Sequence, residues 1–248
     1  MNRANTRPNH TATPTTYSQK SRVPWFIVRL FAYFLLPTIS IFIFFQASIV
    51  CGDIRLVFRD NRLIEWSQVL VLTATLLLLQ RAGMQHKALR RAFVVFSVLA
   101  LLAISRELDN FFEWLLFDNA WKIPGAALAA FLIYYYCRHR TALHNQIRAV
   151  IIARGFMLMF AGFSIVMGFS RLIGQKIFWQ AVMQENYLRI VKRVCEESCE
   201  FVGYCLILAG AFELLYENIT SRPPYAAFST RMHPDTTQNI QTQPGINC

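Results

Sequence analysis

Long apolar blocks almost free of charge constrain this chain more than any other feature of its sequence. Residues 26–50 hold one charge, Arg29, and residues 69–79, 92–104, 123–137 and 201–212 hold none. Residues 150–169 hold only Arg154. About 20 apolar residues span a bilayer, and several of these blocks reach or approach that length. Of the 248 residues, 55% are hydrophobic and 16% charged, against about 25% charge in an average soluble domain. A globule of this size would lack the polar residues to cover itself. A soluble enzyme, a secreted disulfide scaffold and a disordered chain are excluded, and an all-α, polytopic membrane protein is implied.

Residues 1–23 are polar and basic without apolar periodicity, and read as a disordered arm. The apolar run that follows is too long for the core of a cleaved signal. Cys51 closes the run, but bulky Val50 precedes it where a lipoprotein signal requires a small residue. The first helix is therefore expected to stay as an anchor. Six segments read as helices, at roughly 25–50, 63–80, 90–114, 121–138, 149–172 and 189–216, forming one compact bundle over 24–217. The tail at 218–248 is rich in Thr, Gln, Asn and Pro and reads as disordered. Residues 174–188 suit either a short interfacial helix or a plain loop with aromatic anchors.

Orientation follows from the basic residues of the short connections. Arg3, Arg7, Lys20 and Arg22 in the arm, Arg81, Lys87, Arg90 and Arg91 in the second connection, and Arg138, Arg140 and Arg148 in the fourth define one side. The expected topology has both termini in the cytoplasm of a bacterial inner membrane. The net charge of +11 is mostly this signal, with attraction to anionic lipid as an addition. It does not indicate nucleic-acid binding.

The bilayer then forces charge inward. Residues 92–104 give a helix of roughly 20 Å, short of a core about 30 Å thick. To cross, the third helix must take in 105–113, and the sixth must take in Glu196, Glu197 and Glu200. A charge at a helix centre costs about 2.5–3.5 kcal/mol, so these groups belong near helix ends. Under the expected topology both stretches lie at the periplasmic end, together with Glu65, Gln68, Ser170 and Arg171. Projection at about 100° per residue puts Arg106, Asp109, Asn110 and Glu113 on one face of the third helix. It puts Ser164, Gly168, Arg171 and Gln175 on one face of the fifth. Arg189, Arg193, Glu196, Glu200, Gly203 and Gly210 share a stripe on the sixth, where the glycines permit close helix approach. Glu107 and Glu197 fall off the stripes and are free to face other partners or the headgroups.

The candidate binding residues are Glu65, Arg106, Asp109, Glu113, Arg171, Arg193, Glu196 and Glu200. Intramembrane charge marks a functional site by default; the competing reading is that these pairs only hold helices in register. A surplus of carboxylates favours a site, one able to take a cation, a proton or a cationic headgroup. A hard divalent cation is compatible with such a set. Haem is not, since every histidine falls in an arm or connection. Cys195 and Cys199 lie one turn apart, and a disulfide from either to Cys51 is compatible with an oxidising periplasm. Three functions remain open: binding or processing of a lipid headgroup or cation near the periplasmic leaflet, proton-coupled transport by a small carrier, and a non-catalytic subunit or sensor with a protein partner in the membrane.

Overall fold

The computed structural model describes residues 23–58, 63–115, 117 and 119–217, and every regular element among them is helical. The elements are α1 (Val23–Val50), α2 (Arg55–Phe58), α3 (Leu63–Gln85), α4 (Arg90–Glu107), α5 (Asp109–Leu115), α6 (Lys122–Ile151), α7 (Arg154–Ser164), α8 (Ser170–Ile173), α9 (Lys176–Met183) and α10 (Arg189–Tyr216). A π turn at Ile165–Phe169 joins α7 to α8. Five segments are long and apolar enough to cross a membrane: Ile27–Val50, Leu63–Gln85, Lys87–Glu107, Arg154–Ile173 and Arg189–Tyr216. The chain is a multi-pass membrane protein. Apart from Val23, the arm and tail expected to be disordered lie outside the described residues.

α10 is the central helix. Its span is 61% buried, against 11% for α1, and α7, α3, α1, α2 and α8 all pack on it. Apolar residues fill two layers around it. Phe44, Phe58, Ile64, Leu72, Phe201 and Tyr204 fill the layer nearer its start. Leu79, Leu89, Phe93, Leu143, Val150 and Leu214 fill the one nearer its end. α7 approaches through Gly155 and Gly162, which face Gly210 and Gly203 as expected of the α10 glycines. A Cβ on Gly155 would stand 2.6 Å from the Gly210 carbonyl oxygen, and one on Gly210 2.5 Å from that of Gly155. Only glycine allows these backbones to meet. At this end Arg29 and Tyr33 of α1 bond Glu213 of α10, so the start of α1 and the end of α10 lie together.

Three expected elements differ from those observed. The third helix does not continue to 114: α4 breaks at Leu108 (φ −92°, ψ 14°), and α5 starts afresh at Asp109. The fourth connection is not a loop. α6 carries Arg138, Arg140 and Arg148 within one helix of 30 residues, kinked at His139 (φ −124°, ψ 19°). The expected span at 121–138 is not among the five apolar ones. The fifth helix starts at Arg154 rather than 149, and its π turn shifts its register. The face toward α10 is therefore Gly155, Gly162, Val166 and Ser170, while Ser164 and Gly168 are exposed. Between α8 and α10 the chain forms α9, a helix without a buried residue, whose Ile177, Phe178 and Val182 are exposed.

Candidate functional site

α10 builds the site because its first three turns alternate bases and acids: Arg189, Lys192 and Arg193, then Glu196, Glu197 and Glu200. Lys192 and Glu196, four residues apart, pair at 2.8 Å on the helix surface. Deeper, Glu200 is 4% exposed, and one of its oxygens takes three donors. Arg106 of α4 reaches it at 3.2 Å, Arg171 of α8 at 2.8 Å and the Ser170 hydroxyl at 2.9 Å. Arg171 also touches Glu196 at 3.5 Å. The Glu196 carboxylate lies over Gly174, where any Cβ would collide with it. Burying one carboxylate costs several kcal/mol unless partners compensate, and three converging donors are that compensation.

A second polar layer takes up the two acids that fall off the stripes. The Glu107 side chain is 8% exposed and accepts a 2.6 Å hydrogen bond from the Tyr204 hydroxyl, with Arg106 at 3.9 Å. Glu197 accepts from the Gln68 amide at 3.1 Å. Both acids lay off the stripes because each stripe was drawn toward one neighbour, whereas α4 and α10 each have neighbours on several sides. Two signals were available. Tyr204 stands one turn beyond Glu200, and a buried phenol needs a partner. Gln68, at the start of α3, is a buried amide facing the same need.

These groups surround a partly open cavity of about 220 Å3. It is lined by Glu65, Glu107, Asp109, Glu196, Glu197 and Glu200 and by Arg106, Arg171, Arg189, Lys192 and Arg193. Seven of the eight candidate residues therefore come together. Glu113 does not. The break at Leu108 turns it away, and it is exposed, accepting the Asn119 backbone N–H at 3.1 Å. The expected acidic surplus also shrinks, since the acids that line the cavity outnumber the bases by one.

That near-balance decides what the arrangement can do. Among the described residues no group of three His, Cys, Asp or Glu side chains is placed to hold a metal ion. Glu200 and Glu196 are engaged by cations and serve as anchors of the cavity wall. A ligand entering this cavity meets both signs of charge within a few ångströms. Cys51, Cys137, Cys195, Cys199 and Cys205 are free thiols. No protein-family model, no curated protein and no solved structure matches the chain.

Proposed function

We propose that the chain is a bacterial inner-membrane protein of six spans, with both ends in the cytoplasm, whose charged cavity binds a lipid headgroup near the periplasmic leaflet. The observation that carries this reading is the balanced set of charges gathered at one end of an apolar bundle. Groups from α3, α4, α5, α8 and α10 meet there, at the level where helices α4 and α8 end and α3 and α10 begin. Scaffolding would need one or two pairs. This cavity gathers bases of α10 and acids of α3 and α5 around one shared space, and charges of both signs suit a headgroup bearing a phosphate and an amine. A bare cation fits less well, because the bases beside it would repel it. The exposed apolar side chains of α9, which follows α8 and its Arg171 in the chain, suit a helix lying in the interface, where a headgroup would approach.

The test is lipid and metal analysis of the full-length protein purified in mild detergent. A lipid with an amine-bearing zwitterionic headgroup should be retained, and Arg193→Gln together with Asp109→Asn should abolish retention while the protein still melts cooperatively. A stoichiometric divalent metal, lost in the same variant, would replace the headgroup reading with a cation site. Equal retention of lipid by the variant and the unmodified protein would refute it.

A further inference from the structure

The opposite end of the bundle carries a second charged cavity of different character. It has a volume of about 540 Å3 and lies between the start of α4 and the middle of α6. Lys87, Arg90 and Arg91 line it with Val94, Tyr135 and Gln146. The three cations are exposed, and none takes part in an ion pair among the described residues. Among the described residues no acid lines the cavity, in contrast to the near-balance at the other end. Gln146 accepts the Ala92 backbone N–H at 3.1 Å through its Oε1, which leaves its NH2 as the donor it can offer. One turn deeper, Val94 lies within the span Lys87–Glu107 and forms the apolar wall with the ring of Tyr135 from α6.

We infer that this cavity binds the phosphate of an anionic phospholipid. Uncompensated cations at the mouth of a membrane-spanning helix repel one another, and an anion shared among them removes that cost. The position is that of a headgroup: cations at the boundary of the span Lys87–Glu107, with apolar surface beginning one turn below. A free phosphate would satisfy the cations but leave the Val94 side of the cavity unfilled. This site rests on residues that the headgroup cavity does not use, so either can fail without the other.

The experiment uses the full-length protein in nanodiscs of phosphatidylcholine with a minor fraction of phosphatidylglycerol. Native mass spectrometry counts the phosphatidylglycerol retained after release. The variant Lys87→Gln/Arg90→Gln/Arg91→Gln is compared with Arg81→Gln/Arg138→Gln/Arg140→Gln, which removes the same charge from exposed positions that do not line the cavity. In the cavity variant three cations lose their charge-assisted contacts to the phosphate, and it should bind about a hundredfold more weakly. The second variant should stay within a few-fold of the unmodified protein. Equal losses in both variants would show diffuse attraction and overturn the site, as would retention unchanged in the cavity variant. If the triple variant does not fold, Arg90→Gln against Arg138→Gln reads the same contrast at about fivefold. Inorganic phosphate that raises the melting temperature as much as the lipid does would overturn the phospholipid assignment.

Discussion

Arg106 and Glu200 meet at 3.2 Å, on the carboxylate oxygen that Arg171 reaches from the far side at 2.8 Å. One buried acid thus ties the end of α4 and the end of α8 to the middle of α10. The three helices are remote in sequence, and their apolar faces alone would tolerate sliding along their axes. A shared carboxylate sets their relative height.

Glu200→Gln should therefore cost more stability than Arg106→Gln. The first substitution leaves two guanidiniums facing each other; the second leaves Glu200 still held by Arg171 and Ser170. Breaking a buried pair costs about 3–5 kcal/mol, and the Arg106 loss should fall below this because its side chain is 32% exposed. The double variant should recover part of the Glu200→Gln loss. Arg106→Gln with Glu196→Gln should couple more weakly, since Glu196 is held by Lys192 and meets Arg106 only through the shared Arg171 and Glu200. Thermal melting in detergent measures both cycles, and additivity in the first would separate α4 from the shared site.

Gly162→Ala should destabilise the bundle by about 1–3 kcal/mol, the usual range for overpacking. A methyl group there would meet the Gly203 carbonyl and Ile207 on α10, and the two helix backbones would have to separate. Gly168→Ala is the matched control, because nothing stands within 4 Å of a Cβ at that position. Melting temperatures that fall equally for both would show that α7 does not pack on α10 through its glycines.

Tyr33→Phe should loosen α1 selectively. Only 11% of this span is buried, and the Tyr33 hydroxyl bonds Glu213 at 2.6 Å beside Arg29. A hydrogen bond to a charged group contributes about 1.5–3 kcal/mol, a large share of what holds so exposed a helix. Limited proteolysis in the connection between α1 and α3 should speed up several-fold, with the melting of the remaining bundle little changed. Unaltered proteolysis would mean that α1 is held by its apolar contacts alone.

The convergence of Arg106, Asp109, Arg171, Glu196 and Glu200 was legible in the sequence, because a length argument decides it. Apolar runs too short for the bilayer must draw in their charged flanks, and the basic connections say which flanks share a side. The pairing of Gly203 and Gly210 with a neighbouring helix was legible for a similar reason, since they lie directly below the charged stripe. Glu113 was misplaced because projection around a helix assumes that the helix continues, and the break at Leu108 has no Gly or Pro to announce it. The α7 face was misassigned because it was drawn through polar Ser164, about 200° around the helix from Gly162, and the π turn that follows then adds a residue that a fixed angle does not include. Arg138-His139-Arg140 suggested a loop by its charge, whereas a kinked helix absorbs the same residues.

The path of α6 gives the last prediction. α4 ends at Glu107 beside Tyr204, and α7 begins at Gly155 against Gly210 and Leu214. These two points lie on successive stretches of α10, whose 1.5 Å rise per residue separates them by roughly 10–15 Å along its axis. The chain must therefore return toward the other end between them, and α6 is the element available. Its uncharged part, 123–137, gives roughly 22 Å of helix, shorter than a hydrocarbon core of about 30 Å, so local thinning or snorkelling of Arg138 and Arg140 must make up the difference. A reporter inserted at Asn119 should then report the periplasm and one at Ile152 the cytoplasm. Fusions after residues 22 and 218 should report the cytoplasm, and one after Asp53 the periplasm. A cytoplasmic signal at Asn119 would mean that α6 lies outside the membrane, and both charged cavities would then need a new assignment of side.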